Sequence, residues 1–339
     1  MPVTIKDVAH RLDISVTTVS RAIAGYSDVA ENTRQLVLQT ANEMGYVPRH
    51  AARNLRLQRT NTIGFIFPTL GGRFTDPFFS EFLAGIGDEA SEQDYDLLVT
   101  VASQGEPEEH AYQRWARSRR VDGFILVRMR VMDWRSRYLS AEGIPFVSFG
   151  PHQLANGQPW IGVDGQEGVL KLMRHLIGLG HRRIAYIGAP RYLYFNGDRL
   201  AGYQAGLDEA GIPFIPELIV EADLTRQGGY HAAQPLFSMP EPPTAIIGVN
   251  DLTALGALRA AQDRGIKVGV DLAIAGFDGT EAGEHAHPSL TTIAQPVYAI
   301  GRQVSQLLVK ALNGEKAELS GFIIQPELII RASTDFLLK

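Results

Sequence analysis

Two sets of residues have types and spacings that can do chemistry. The first is the run Ser15-Val16-Thr17-Thr18-Val19-Ser20-Arg21. On a helix capped by Ser15, the side chains of Val16, Thr17, Ser20 and Arg21 face outward. A helix laid in the major groove reads bases with its N-terminal residues. An arginine there can fork guanine O6 and N7, and Val and Thr methyls can touch the thymine methyl. Thr4, Ser15, Thr18, Ser20 and Asn32 can bond phosphates, which fixes register without reading sequence. A basic segment follows, Arg49-His50-Ala51-Ala52-Arg53-Asn54-Leu55-Arg56. It is too short for a stable helix in water. Arg53 suits a phosphate, and Leu55, apolar among arginines, suits a wedge between base steps. A purely structural three-helix bundle followed by a plain linker is the bland alternative.

The second set lies at the ends of apolar runs further along: Phe74, Asp76 and Phe78, then Asp164, Arg199, Asn250, Asp278 and Gln295. Carboxylates and amides accept and donate to hydroxyls, and an arginine forks two of them. Aromatic rings suit the apolar face of a sugar, although Phe78 or Phe79 can equally serve core packing. Any single carboxylate could instead cap a helix, and for Asp251 capping is the expected role. Two patterns are discounted. Gly85-Ile86-Gly87-Asp88-Glu89-Ala90 imitates a dinucleotide fingerprint but falls inside a helical pattern instead of after a strand. Glu284-His285-Ala286-His287 reads as a loop and not a metal site. No catalytic constellation and no cofactor pattern is found.

These residues need elements to position them. Ile5, Val8, Ala9 and Leu12 mark one face of a first helix, with Thr4 and Asp7 close to a capping box. Val16, Val19 and Ile23 mark the inner face of a second, and a third runs from about Glu31 to Met44, with Val37, Ala41 and Met44 inward and Gly45 as its stop. Beyond residue 60, apolar runs at 63–67, 97–101, 124–127, 146–149, 184–187, 245–249 and 273–277 alternate with helical patterns near 78–91, 108–119, 168–179, 200–210 and 252–264. Such alternation implies parallel sheets covered on both faces. The repeats are too many for one open sheet, so two lobes are expected, with ligand beyond the strand ends.

Charge supports the division. Residues 1–60 carry eight Lys and Arg against five Asp and Glu, a net +3, while the remainder carries −8. A basic head on an acidic body points to nucleic acid. Cysteine is absent, which excludes disulfides and thiolate chemistry. No apolar run is long enough for a membrane span and no targeting segment is read at the start, so a cytoplasmic location is expected.

The chain resembles the lactose-repressor (LacI/GalR) family. The stretches that carry the resemblance are Thr4-Ile5-x-Asp7-Val8-Ala9, Ser15-x-x-Thr18-Val19-Ser20-Arg21, Thr33-Arg34, Glu43-x-Gly45-Tyr46-x-Pro48, Ala52-Arg53-x-Leu55 and Arg59-Thr60-Asn61-Thr62-Ile63-Gly64. The resemblance implies an α/β protein: a helix-turn-helix head over 1–47, a hinge helix and linker over 48–60, and a two-lobed periplasmic-binding-protein-like body over 61–339. Lobe 1 is expected at about 61–163 plus 296–323, and lobe 2 at about 164–295 plus 324–339. It further implies a homodimer on a pseudo-palindromic operator, Leu55 inserted at the operator centre, and Arg199, Asn250 and Asp278 holding sugar hydroxyls. The helix near Phe82 to Ala90 is expected to contribute to the dimer, and a dimer without a tetramerising tail is expected.

Three positions depart from the family. Ala30 stands where a capping Ser is usual, a loss of about 1 kcal/mol. Arg49 replaces an Asn and sets a cation at the positive end of the hinge helix. Asp164 is followed by Gly165 instead of Asn, which removes a possible amide contact. The function expected is a repressor of a carbohydrate-uptake or carbohydrate-use operon, released from double-stranded operator DNA by a small sugar, with glycosides and disaccharides among the candidates. A co-repressing purine or phosphorylated metabolite is the alternative. A transport-type sugar-binding protein and an enzyme on an α/β scaffold are the more distant rivals.

Overall fold

The computed structural model describes residues 3–23, 25–46, 59–69, 76–151, 158–315 and 321–335. The chain divides into two compact units, Met1–Asn61 and Thr62–Lys339.

The described residues of the first unit form three helices: α1 (Ile5–Leu12), α2 (Val16–Ile23) and α3 (Glu31–Glu43). Their core is Val8, Ala9, Val19, Ala22, Val37 and Ala41, with Leu12, Ile23 and Met44 packed on it. The Asp7 carboxylate accepts from both the amide and the hydroxyl of Thr4, each at 2.7 Å. Asp13 turns the chain in the left-handed region, φ 52°, and Ser15 Oγ accepts from the Thr18 amide at 3.0 Å to start α2. Of the two places its position allows, Val16 takes the outward one and not the inward one that its spacing with Val19 and Ile23 suggests. It lies in the first turn of α2, 41% exposed, and Ala22 fills the inner position beside Val19. Helix α3 starts at Ala30 with no side-chain cap, and an Arg34–Glu31 ion pair at 3.2 Å sits in its first turn.

The second unit contains two six-stranded sheets. The first is ordered β11-β5-β4-β3-β1-β2, where β1 is Thr62–Thr69, β2 Asp96–Ser103, β3 Gly123–Leu126, β4 Phe146–Phe149, β5 Trp160–Val163 and β11 Phe322–Ile324. All its pairs are parallel. The second is ordered β12-β10-β9-β8-β6-β7, where β6 is Ile184–Gly188, β7 Ile219–Glu221, β8 Ala245–Gly248, β9 Ala273–Asp278, β10 Thr291–Ala294 and β12 Glu327–Ile329. Only the β10–β12 pair is antiparallel. The chain leaves the first sheet after Val163, returns after Ala294, and leaves again after Ile324.

Strands buried on both faces read as continuous apolar runs, and β1 shows why. Ile63, Phe65 and Phe67 meet helices α4 (Pro77–Glu92) and α12 (Val297–Leu312), while Ile66 faces α5 (Glu106–Arg117) and α6 (Trp134–Ala141). In the second lobe, α7 (Gly165–Gly178) and α8 (Tyr194–Glu209) cover one face, and α9 (Arg226–Phe237) and α10 (Asp251–Asp263) the other. Helices α4 and α12 approach backbone to backbone: a Cβ on Gly85 would lie 2.1 Å from Tyr298 O, and one on Gly301 2.3 Å from Phe82 O. Gly85 of the fingerprint-like pattern is therefore a helix-packing glycine. His285 ends α11 (Glu281–Glu284), and among the described residues no group of three or more His, Cys, Asp or Glu could hold a metal.

Candidate functional site

A cavity of about 460 Å3 lies between the two sheets of the body. Asp76, Phe78, Asp164, Arg199, Asn250, Asp278 and Gln295, scattered over 220 positions of sequence, all line it. Phe74 lies outside the described residues.

Arg199 projects from α8 and is almost wholly buried. Its guanidinium carbon stands 3.5 Å from the centroid of the Phe277 ring and 4.9 Å from that of Phe195. Nη1 donates to the Val249 carbonyl. Nη2 is 3.9 Å from Asp278 Oδ1, an ion pair too long for a hydrogen bond. Arg199 Nε is buried with no hydrogen-bond partner among the described residues, and so is Gln295 Oε1. Gln295 Nε2 donates to Asp278 Oδ1 at 2.7 Å. Burial pushes the Asp278 carboxyl well above the usual carboxylate range, and the nearby Arg199 opposes this only in part. Asp278 also has a φ of 132°, a region that side-chain-bearing residues rarely occupy and that clusters at functional sites.

One carboxylate assignment is corrected. Asp251 is not a cap. Asn250 caps α10, its Oδ1 accepting from the Thr253 amide at 2.9 Å. The Asp251 carboxylate is fully buried and takes Thr280 N at 2.7 Å, Thr280 Oγ1 at 2.9 Å and Thr292 Oγ1 at 2.6 Å. It ties down the loop that follows β9 and so fixes Asp278. Asp164 is a cap as well as a cavity residue, accepting from Glu167 N at 2.9 Å and from Gln325 Nε2 at 3.1 Å. Gly165, the departure from the family pattern, has a local cause. A Cβ there would meet Asp198 Oδ2 at 2.6 Å.

On the lobe 1 side Asp76 caps α4, accepting from Phe78 N at 3.2 Å. Its other oxygen takes Arg128 Nη2 at 3.2 Å, while Arg128 Nη1 donates to Pro68 O at 3.1 Å. Arg128 also lies over the rings of Phe67 and Phe79, 4.7 and 5.3 Å away. Burial raises the Asp76 carboxyl and lowers the Arg128 guanidinium, each opposing the pair's mutual attraction. Arg128 escaped the sequence reading. It sits in a turn after β3 with φ 51°. Fully buried Arg135 holds that turn, donating to Val127 O at 3.0 Å and Arg128 O at 3.1 Å and pairing with Asp133. Phe78 and Phe79 belong to the core and line the cavity together.

The lobes also touch directly. Val131 N donates to Tyr192 O and Tyr194 N to Met129 O, each at 2.9 Å, forming an antiparallel bridge at Arg130 and Leu193. Tyr192 OH donates to Gln104 Oε1 at 2.8 Å. This clasp joins the loop carrying Arg128 to the loop leading into the helix of Arg199.

In the head, Thr4, Ser15, Val16, Thr17, Ser20 and Asn32 are exposed and Thr18 and Arg21 half-buried. Thr18 Oγ1 and Ser15 Oγ are 2.8 Å apart. Arg21 is held by the Asp28 carboxylate, which also takes its Nε at 3.2 Å, and lies 5.0 Å from the Tyr26 ring. Arg53 and Leu55, like Arg49, lie outside the described residues.

A helix-turn-helix head and a two-lobed body with a cavity between the lobes define a ligand-controlled transcription regulator. Residues 4–49 match the bacterial regulatory proteins of the lacI family, and residues 173–334 the periplasmic binding protein-like domain. The chain is 34% identical to the HTH-type transcriptional repressor CytR of Escherichia coli (strain K12), over 98% of this chain and 96% of that one. Among solved structures it resembles the complex of transcriptional regulator CelR with cellobiose (30% identity, 98% and 99% of the two chains, TM-score 0.75). It also resembles the lac repressor dimer bound to operator and the anti-inducer ONPF (26% identity, 99% and 100%, TM-score 0.84). The chain belongs to the LacI family and is a sequence-specific transcriptional regulator that binds operator DNA. No helix among the described residues is long and apolar enough to cross a membrane.

Proposed function

We propose that this regulator represses genes for carbohydrate uptake or use, and that a small uncharged sugar bound between the lobes releases it from operator DNA. One observation carries the reading: Arg199, Asp278 and Gln295 converge, buried, with a donor and an acceptor left over. Among the described residues Arg199 Nε and Gln295 Oε1 have no partner, and Asp278 stands beyond hydrogen-bond range of Arg199. Buried polar groups are normally satisfied, and sugar hydroxyls donate and accept at once. The aromatic rings of Phe78 and Phe149, 5.8 Å apart and nearly parallel, supply an apolar wall.

The charge balance favours a neutral ligand over a phosphorylated one. Among the described residues, four aspartates, Asp76, Asp164, Asp198 and Asp278, line the cavity against two arginines, and each of these arginines already faces a carboxylate. The body works by binding and not by turnover, in the cytoplasm, where its operator is. It acts as a homodimer, helped by the exposed apolar side chains Val99 (42%) and Val101 (48%) on edge strand β2, next to α4. Val16, Thr17, Ser20 and Arg21 read the operator, with Thr4, Ser15, Thr18, Asn32 and Arg53 on phosphates and Leu55 at the centre. Thermal-shift screening tests the ligand class, because a ligand that binds only the folded protein raises its melting temperature. Neutral sugars are expected to stabilise the protein. Stabilisation by purines or sugar phosphates alone would replace this reading with the co-repressor one.

A further inference from the structure

We infer that the effector site is bipartite, and that Trp160 forms a second subsite for the second ring of a disaccharide. The inference rests on the sugar reading above and deepens it.

Trp160 opens β5, yet it does not lie at the far end of the sheet from the ligand. Ser148 pairs with Trp160 and with Leu126. The first residue of β5 is therefore level with the carboxyl ends of β3 and β4, where ligands of parallel sheets bind. The indole is laid on two glycines. Gly162 is two residues along the same strand, and a Cβ there would be 3.0 Å from Trp160 Cζ3. Gly321 is the neighbour across to β11, since Phe322 pairs with Ile161. A Cβ on Gly321 would lie 1.8 Å from Cε2 and 2.3 Å from Nε1 of the indole. A side chain at Gly321 would have to displace the ring, and one at Gly162 would crowd it. Trp160 is nonetheless only half-buried and lines the cavity. A large flat ring, crowded by strand glycines and half-exposed where it borders the cavity, is a preorganised stacking platform.

The distance across the sheet sets the ligand length. Trp160 is on β5, two strands from β3, which leads into Arg128, and three from β1, which precedes Asp76. At about 4.8 Å per strand these separations are about 10 and 14 Å. The lobe 1 wall of the cavity, from Trp160 to Arg128 and Asp76, is therefore longer than one pyranose ring. The cavity volume of about 460 Å3 points the same way. The exposed amide of Gln166 and the carboxylate of Asp198 also line the cavity and can take hydroxyls of the second ring.

The test uses the full-length protein, its Trp160→Ala and Trp160→Phe variants, and calorimetric titration with glucose, galactose, cellobiose, maltose, lactose and sucrose. At least one disaccharide is expected to bind parent protein about tenfold or more tighter than its component monosaccharides. Trp160→Ala should remove that advantage and leave monosaccharide affinity within about twofold, while Trp160→Phe keeps most of it. Binding of the disaccharide should change tryptophan emission in parent and not in Trp160→Phe, because Trp115 and Trp134 belong to a separate core cluster. If Trp160→Ala does not fold, the emission change and the monosaccharide comparison in parent and Trp160→Phe still decide. Equal affinity for one and two rings, or equal weakening of both by Trp160→Ala, would overturn the second subsite alone. Failure of every sugar to bind the parent would overturn the sugar reading together with it.

Discussion

The backbone at Asp278 offers a sharp test of how the site is built, because its φ of 132° separates two effects that usually mix. Asp278→Ala and Asp278→Gly both remove the carboxylate, and both leave Gln295 Nε2 and Arg199 without it. They differ in backbone freedom. A side-chain-bearing residue in a sparsely populated region costs about 1–3 kcal/mol. Glycine avoids that cost but loses about 0.4–1 kcal/mol through its more flexible unfolded chain. The glycine variant should therefore be the more stable by about 1–2 kcal/mol, which for a body of this size is about 2–8 °C in melting temperature. Neither variant should respond to the effector. Asp278→Asn adds a pH signature. The folded protein holds the Asp278 proton more tightly than the unfolded chain, so this group lowers stability as pH rises from its ordinary value of about 4 through its raised one. Melting curves at several pH values should show that fall reduced in Asp278→Asn. An alanine variant at least as stable as the glycine variant would refute the strain, and a normal effector response in either would refute the role of the carboxylate.

Other substitutions probe the remaining parts. Arg21→Ala should weaken operator binding by about 1–3 kcal/mol and relax preference at one base pair. Gel shifts that show equal loss on all DNA sequences would instead make Arg21 a phosphate contact. Tyr192→Phe removes the hydroxyl that reaches Gln104 across the lobes. One hydrogen bond contributes about 0.5–1.5 kcal/mol, so effector affinity should fall about two- to tenfold with unliganded operator binding unchanged. Gly85→Ala forces a methyl against the Tyr298 carbonyl and should destabilise the body by about 1–3 kcal/mol, read from denaturant unfolding.

Local pattern was enough where one residue's role depends on its neighbours in sequence. The Ser15 cap, the Val8/Ala9 and Val19 faces and the apolar runs of β1, β3, β8 and β9 follow from spacing alone. Helix α12 is equally legible: Val297, Ile300, Val304 and Leu308 repeat on one face. The three-residue strands β7 and β11 and the four-residue β10 are too short to show a period. Arg128 could not be found, because its partners Pro68 and Asp76 are 60 and 52 residues away and its turn is set by the buried Arg135. Asn250 and Asp251 are both good caps by residue type, and only the placement of Thr280 and Thr292 settles which one caps. Trp160 gave no signal either, since its platform depends on Gly321, far along the chain.

The central claim is that a sugar held by Arg199 controls the grip on DNA. A ligand can do this only through unequal affinity for two states of the protein, and the coupling is reciprocal. The direct measurement is operator affinity, on the chain's own upstream DNA, titrated against the best-binding sugar in parent and Arg199→Ala proteins. The sugar should weaken parent binding about 5- to 150-fold. Arg199→Ala should bind operator normally without sugar and lose the response. A variant that responds to the same sugar at the same concentration would show that the effector site lies elsewhere.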